Sequence, residues 1–538
     1  MRQEQSPGDI NLVVASNRGP VEHYWGSDNE IGVRRASGGL VSALKAVRKY
    51  HQFSWVASAV TPGDRYIAAQ PALSNSGSGP RQSAPPDFLP DTKIESQNSV
   101  DLVAVPKDVF HSHYDVFSNR ILWFLQHSMW EHLQPPRDRN TIGEAWWSGY
   151  VPTNMAFARK VAAKARGQTN PVIMLHDYHL YRAPGFIREL FPDAVLQHFI
   201  HIPWPGPAVW QPLPLTLRRE ICRSLLANDI IGFQTLSSAH NFLDCCDSFV
   251  KDAKVDYVEN TVNIRNKVVR VRAYPISVDV DELREAMNSP AVRVHQERLR
   301  QLCGEQTVVR VDRLDPSKNI VRGFRAFEQL LDKHPELQGR VKFLAFLVPS
   351  RAATPEYVHY YKEVTTLVKA INQRFGREGF RPVEVFYENN YQQALAGMSL
   401  CDVLLVNPLA DGMNLVAKEG PIVSTRDSVL ILSRAAGAFE QLSGDVISVE
   451  PTDVDGTAGA LADALAMSAL ARRKRASALR AKIEKEDISG WITSQMDDIK
   501  GVLAERYGGG YKQAPSAFRK DWVPDFGMSG VFAAAPNS

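Results

Sequence analysis

The chain has 538 residues, more than one hydrophobic core usually holds, and 44% of them are hydrophobic, which is ample for burial. Sixty-two basic residues against 59 acidic ones leave a net charge of +3 with no basic stripe, so nucleic acid is not implied as a partner. Five cysteines (Cys222, Cys245, Cys246, Cys303, Cys401) lack zinc-site spacing, no apolar run approaches membrane length, and Met1–Asp9 is polar; reduced thiols in a cytoplasmic protein are expected, with no membrane partner.

Short apolar runs alternate with segments of helical period, the signature of doubly wound α/β layers. In the first half, strands are predicted at Leu12–Ala15, Trp55–Ala57, Leu102–Val105, Val172–Leu175, Val195–Ile200 and Ile230–Phe233. Gln70–Ser99, rich in Ser, Pro, Asn and Gln, reads as a surface loop. Tyr274-Pro275-Ile276-Ser277-Val278 reads as a crossing, with a boundary near Ser277–Asp281. The second half repeats the pattern at Thr307–Val311, Val341–Leu347, Val383–Tyr387, Val403–Val406, Val429–Leu432 and Val446–Val449. The reading is two Rossmann-like α/β domains, 1–278 and 279–487, facing across a ligand cleft, followed by a helix over about 488–506 and a tail over 507–538.

Several strand ends run into segments that carry chemistry. Asp411-Gly412-Met413-Asn414-Leu415-Val416-Ala417-Lys418-Glu419 follows a buried-strand pattern and opens a helix. Gly412 is expected to let the backbone bend sharply, leaving the N–H groups of Met413, Asn414 and Leu415 and the positive end of the helix dipole for an anion. Glu419, a turn or two further on, could accept both hydroxyls of a ribose, and phosphate plus ribose means a nucleotide. Asp312-Arg313-Leu314-Asp315-Pro316-Ser317-Lys318 places two cations in one strand-end loop, where they could face a diphosphate, unless Asp312 or Asp315 simply pairs with them. His176-Asp177-Tyr178-His179-Leu180 and Ala36-Ser37-Gly38-Gly39-Leu40 complete the set of loops at the active edges of two parallel sheets. His176 and His179 sit three apart but lack a third metal ligand nearby, and Asp279-Val280-Asp281, an Asp-x-Asp pair, lies where a helix begins and is expected to cap it.

These segments, with Ser16-Asn17-Arg18, Phe117-Ser118-Asn119, His201-Ile202-Pro203 and Gly232-Phe233-Gln234-Thr235, resemble in order and spacing the trehalose-6-phosphate synthase family of retaining glycosyltransferases, from about Asn11 to about Leu503. The resemblance implies a GT-B fold whose last helix returns to the N-terminal domain. It implies transfer of glucose from a nucleoside-diphosphate-glucose to glucose 6-phosphate, giving trehalose 6-phosphate. The implied catalytic residues are His176, which contacts the transferred sugar, Arg313, Lys318 and Asp411. Donor binding falls to Gly38, Gly39, Arg313, Lys318, Met413, Asn414, Leu415, Val416 and Glu419. Arg18, Tyr114, Trp123 and Arg351 would clamp the acceptor's phosphate, a task suited to the planar fork of arginine. The family's mechanism needs no metal and no cofactor besides the nucleotide sugar, which is a substrate. The nucleotide base and the oligomeric state, homo-oligomers included, stay open.

Departures from the family pattern fall at Ser148, where an aspartate is usual, at Ala410 and Arg434, and at Trp204 in place of phenylalanine. They are expected on the sugar and base-contacting side. Two further readings therefore stand beside the first: a pseudo-glycosyltransferase joining cyclitols, resembling validoxylamine phosphate synthase, or a glucosylglycerol-phosphate synthase; and, from another class, a non-catalytic paralogue that senses sugar phosphate.

Overall fold

A computed structural model describes residues 10–26, 30–35, 44, 53–70, 100–133, 137–168, 170–352 and 354–507. The predicted 70–99 loop and the tail fall almost wholly outside these residues. Seventeen strands are described: β1 (Leu12–Ser16), β2 (Val21–Trp25), β3 (Ile31–Arg35), β4 (Phe53–Ser58), β5 (Val100–Val103), β6 (Val172–His176), β7 (Val195–Ile200), β8 (Ile230–Phe233), β9 (Ala253–Asp256), β10 (Thr261–Ile264), β11 (Lys267–Ala273), β12 (Gln306–Arg313), β13 (Val341–Val348), β14 (Val383–Tyr387), β15 (Val403–Val406), β16 (Val429–Ser433) and β17 (Ile447–Val449). Each of the twelve predicted strands has a counterpart among them.

The first sheet runs β5-β4-β1-β6-β7-β8-β11-β10-β9, parallel as far as β11 and antiparallel beyond it. The second runs β14-β13-β12-β15-β16-β17 and is parallel throughout. Ranked by position in the chain, the second sheet and the first six strands of the first both have the order 3-2-1-4-5-6. That is the Rossmann arrangement, whose topological switch point lies between strands 1 and 4. The central strands are buried along their whole length, as parallel strands covered on both faces must be.

Sequence reasoning missed the β2–β3 hairpin and β9–β11. Most of their residues are half-buried or exposed, with Val262, Val269 and Val271 the buried exceptions, and they carry Lys, Arg, Glu and Asn, so no continuous apolar run marks them. It also missed that His111–Leu122 and Trp146–Tyr150 are wound with π-type spacing, a form common at functional sites.

One apolar cluster joins the two sheets, taking in Val14 and Phe199 from the first, Val309 and Leu404 from the second, and Trp491, Ile492 and Leu503 from the helix Ile488–Tyr507. That helix packs back on the first sheet. Gln495 accepts from Gln197 at 2.8 Å, Asp498 takes the Tyr274 hydroxyl, and Arg506 reaches Asp229 at 2.6 Å. Asp229 is a buried hub: it also pairs with Arg188 at 2.9 Å and Lys267 at 3.3 Å and accepts the Leu196 N–H at 2.9 Å. No helix among the described residues is long and apolar enough to cross a membrane, and all five cysteines are free.

Burial alone would raise the Asp229 carboxyl, but Arg188, Lys267 and Arg506 outweigh it and hold the group below the usual carboxylate range. Its contribution to stability is therefore fully present at pH 7 and disappears as the pH falls below about 3.9. Asp229→Ala leaves three cations facing a void and should cost about 3–5 kcal/mol in denaturant unfolding at pH 7, with the difference from wild type shrinking toward pH 3.

Candidate active site

Chemistry-bearing loops collect where the strand orders reverse, at the carboxyl ends of β1 and β6 in one sheet and of β12 and β15 in the other. After β1, Ser16 Oγ donates to the Arg18 carbonyl at 2.7 Å and accepts the Trp55 indole N–H at 2.8 Å, while Asn17 Oδ1 takes the Ser58 hydroxyl at 3.0 Å. Ser-Asn thus pins the turn and leaves the Arg18 side chain 46% exposed, against Tyr114. Tyr114 lies on the π-spaced helix, stacked with Phe110 at 5.2 Å and His179 at 5.8 Å. Burial pushes its phenol up, yet the Arg18 and Arg351 guanidiniums together hold it below its ordinary value.

Arg351 comes from the loop after β13, with a left-handed backbone (φ 43°). Its guanidinium pairs with the buried Asp315 carboxylate at 3.2 Å and donates to the Tyr357 hydroxyl. It also crosses to the other half of the molecule, donating to Asn119 Oδ1 at 2.9 Å and the Tyr178 hydroxyl at 3.1 Å. The same guanidinium lies 4.2 Å from the ring centre of Trp123, and that of Arg313 lies 5.2 Å from it. Trp123 is buried and its indole N–H has no partner among the described residues. All four predicted acceptor residues are therefore brought together, with Arg313 beside them.

The acids of the β12 loop are already engaged and do not neutralise its two cations. Asp312 holds the fully buried Arg310 at 2.8 Å, and Arg310 in turn donates to the Lys318 carbonyl at 2.9 Å, fixing the loop. Asp315 is taken by Arg351, Tyr357 and the Ser317 N–H. Arg313 is exposed, and Lys318 pairs across to Asp411. Burial pushes the Asp411 carboxyl up, but Lys318 more than compensates and keeps it ionised; Asn414 Nδ2 also donates to it at 3.0 Å.

The turn after β15 differs in one respect from expectation. Its left-handed residue is Asn414 (φ 72°), and Gly412 is not in that region. Glycine is required at 412 because the backbone meets the opposite half: a Cβ there would fall inside the His201 carbonyl, and one on Gly437 would fall inside the Gly412 carbonyl. Among the described residues no acceptor is found for the amides of Met413, Asn414 or Leu415, which precede the helix Val416–Val423. Glu419, on the first turn of that helix, is partly buried and accepts from the Tyr391 hydroxyl at 3.3 Å. Burial pushes its carboxyl up to about 7, the Tyr391 bond opposing.

His176 ends β6, fully buried, its Nδ1 3.2 Å from His201 Nε2 and its own Nε2 without a partner among the described residues. Asp177 follows at φ 74°, its carboxyl raised to about 7 by burial. His179 packs between Tyr114 and Tyr178 and neither of its ring nitrogens has a partner. Gly38 and Gly39 lie outside the described residues. Asp279 caps the helix Val280–Met287, accepting the Glu282 N–H at 3.0 Å.

Two of the departures from the family pattern already have partners of their own. Trp204 is a core residue packed on Trp210 and Phe242, a correction to its expected place on the substrate side. Arg434 is exposed and pairs with Glu450 at 3.4 Å. Ser148 bonds back to the Glu144 carbonyl at 2.8 Å. Tyr357 and Tyr391 are site residues that sequence reasoning missed. Only their places near the starts of helices that follow active-edge loops could have signalled them.

Two Rossmann-like sheets that set a turn of unpartnered amides opposite a cationic cleft define a GT-B glycosyltransferase. The chain belongs to glycosyltransferase family 20, whose description matches residues 10–501. It is 33% identical to the bifunctional trehalose-6-phosphate synthase/phosphatase of Thermoproteus tenax, over 90% of this chain but only 62% of that protein. It is 30% identical to the UDP-forming alpha,alpha-trehalose-phosphate synthase 1 of Aspergillus fumigatus, over 94% of this chain and 93% of the relative. The crystal structure of the UDP-forming synthase of Burkholderia xenovorans in complex with glucose-6-phosphate superposes with a TM-score of 0.75 at 28% identity, covering 91% of this chain and 100% of that one.

The contact of Gly412 with His201 leaves no room for a methyl group. Gly412→Ala should lower stability by about 1–3 kcal/mol through overpacking. The loss should be visible as a lower unfolding midpoint, whereas Gly459→Ala, in the exposed interior of the helix Val454–Ala466 where a Cβ meets nothing within 4 Å, should raise the midpoint slightly through helix propensity.

Proposed function

We propose that this protein transfers glucose from UDP-glucose to glucose 6-phosphate with retention of configuration, forming trehalose 6-phosphate. The observation that carries this reading is the convergence of Arg351, Arg18 and Tyr114 beside Trp123 and Arg313, a cationic, aromatic cleft facing the turn before Val416. The names of the relatives support the choice of sugars and of UDP.

In this reading the residues up to 278 hold the acceptor, joined from the other domain by Arg351, and 279–487 hold the donor. The amides of Met413, Asn414 and Leu415 take the diphosphate at the positive end of the helix, and Glu419 takes the ribose hydroxyls. Arg313 and Lys318 meet the charge that develops as the bond from the anomeric carbon to the phosphate oxygen breaks. Lys318, already aligned by Asp411, needs no reorganisation to do so. The acceptor hydroxyl attacks on the face the phosphate leaves, and its proton passes to the departing phosphate oxygen. Arg18 and Arg351 fix the acceptor through its phosphate, so that its hydroxyl is held against the donor. No metal or cofactor is required. Ser148, turned onto its own helix, supplies no carboxylate to the acceptor, so a cyclitol phosphate is the competitor to test against glucose 6-phosphate.

The deciding experiment measures nucleotide release from UDP-, GDP- and ADP-glucose, each with and without glucose 6-phosphate and with a cyclitol phosphate. UDP release that depends on glucose 6-phosphate and persists in EDTA is expected. Activity confined to a cyclitol phosphate, or abolition by chelator, overturns the assignment. Arg18→Ala is the cleanest test of the clamp, because Arg351→Ala would also strand the buried Asp315. It removes a charge-assisted phosphate contact of about 1.5–3 kcal/mol and should raise KM for glucose 6-phosphate by about 10- to 100-fold with donor affinity unchanged.

Glu419 sets a pH dependence. With its carboxyl raised to about 7, the form that accepts two hydroxyls predominates only above that pH. UDP affinity measured by calorimetry should fall as the pH drops from 8 to 5.5, approaching about tenfold per unit. Glu419→Gln should bind more weakly at pH 8 and lose the pH dependence.

A further inference from the structure

His176 is fully buried and its Nε2 has no hydrogen-bond partner among the described residues, although leaving a buried polar atom unpaired is costly. Which of its two nitrogens carries the proton decides whether that atom offers an N–H or a lone pair, and a line of contacts running from it determines the answer. The far end is a backbone amide that can only donate: Ile276 N–H to Gln234 Oε1, at 3.0 Å. With the carbonyl oxygen so engaged, the Gln234 side chain presents its NH2 group to His201 Nδ1, at 3.4 Å. Flipping the amide would set two donors against each other at Ile276. His201 Nδ1 is therefore an acceptor, its proton sits on Nε2, and that N–H donates to His176 Nδ1 at 3.2 Å. His176 Nδ1 then accepts, and its proton is on the unpartnered Nε2.

We infer that Gln234 and His201 are positioning residues which hold His176 as the Nε2–H tautomer, a neutral donor kept for an oxygen of the transferred sugar. This rests on the reading of the cleft given above, but the tautomer itself does not. Burial, with the neighbouring His198, supports the neutral form: it pushes His201 down to about 3 and His176 well below its ordinary range, so neither ring is charged at neutral pH. His198 competes for neither contact, because its Nε2 is 3.0 Å from the Asp177 carbonyl. The line is anchored on the donor side as well. Lys418, next to Glu419 on the nucleotide-facing helix, is buried and donates to the Ile276 carbonyl at 2.7 Å. The residue that orients Gln234 is thus tied to the helix that begins at the phosphate turn.

Gln234→Glu tests the polarity of the line with almost no change of shape. A carboxylate still accepts from Ile276 but can only accept from His201. With the carboxylate ionised and both rings neutral, His201 carries its proton on Nδ1 and accepts at Nε2, so that His176 donates from Nδ1 and its Nε2 is bare. With histidine-selective 15N labelling, two-bond N–H correlation spectra of the wild-type protein should show His176 protonated at Nε2 and bare at Nδ1, and the pattern should reverse in Gln234→Glu. UDP affinity should hold within about threefold, while kcat falls on the order of 10²–10³-fold, the usual loss for one placed donor. Gln234→Met, which keeps the volume and removes the donor, should lie between wild type and Gln234→Glu. Wild-type His176 protonated at Nδ1 or at both nitrogens overturns the inference whatever the activity, as does unchanged kcat in a correctly folded Gln234→Glu whose spectrum shows the reversed pattern. Absence of sugar transfer in a wild type that shows the expected tautomer would count against the proposed reaction and leave the tautomer assignment standing.

Discussion

The buried pair between Arg351 and Asp315 governs the rest of the cleft. Taking either charge out of water alone would cost several kcal/mol, and the arrangement is tolerable because each has further partners. Asp315 accepts from Tyr357 and the Ser317 amide, and Arg351 donates to Asn119 and Tyr178. Burial pushes the Asp315 carboxyl up, but the arginines, led by Arg351, hold it far below the usual carboxylate range. Two of the groups that satisfy Arg351 belong to the first sheet's half and two to the second's, so its desolvation is compensated only with the halves together. The guanidinium acts as a fastener between the domains.

Trp123 shows the same economy. Two guanidiniums share one indole, at 4.2 and 5.2 Å from its ring centre, an arrangement that sets like charges near each other. The ring's negative face offsets part of that repulsion. An anion placed between the two cations would relieve the remainder.

Much of this was legible in the sequence, for reasons particular to each part. The parallel strands carry continuous apolar runs because both faces are covered, so Val403–Val406 and Val172–Leu175 could be read directly. The loops that follow them hold unusual residue types at strand ends, and that singled out Arg313, Lys318, Asp411 and His176. The partners of those residues were hidden. Nothing local couples Lys318 to Asp411, 93 positions away, or Arg351 to Asn119, 232 away, because both contacts depend on how the chain returns. Gly412 was singled out for the wrong reason: its need for glycine lies in the His201 carbonyl opposite, which no local pattern discloses. The β9–β11 extension and the β2–β3 hairpin were missed because half-exposed antiparallel strands look like loops in composition.

The Asp229 hub has a bearing on biosynthesis. Its partners Arg188 and Lys267 are translated with the first sheet, but Arg506 follows more than two hundred residues after the last strand of that sheet. Trp491, Ile492 and Leu503, which cover part of the same core, arrive equally late. A ribosome-bound chain that has finished its first sheet therefore carries an uncovered apolar face and an under-neutralised buried carboxylate until well after the last strand of the second sheet has been made. Contacts of such long sequence separation form slowly, and the nascent first half is the stage at which this protein most needs protection from aggregation.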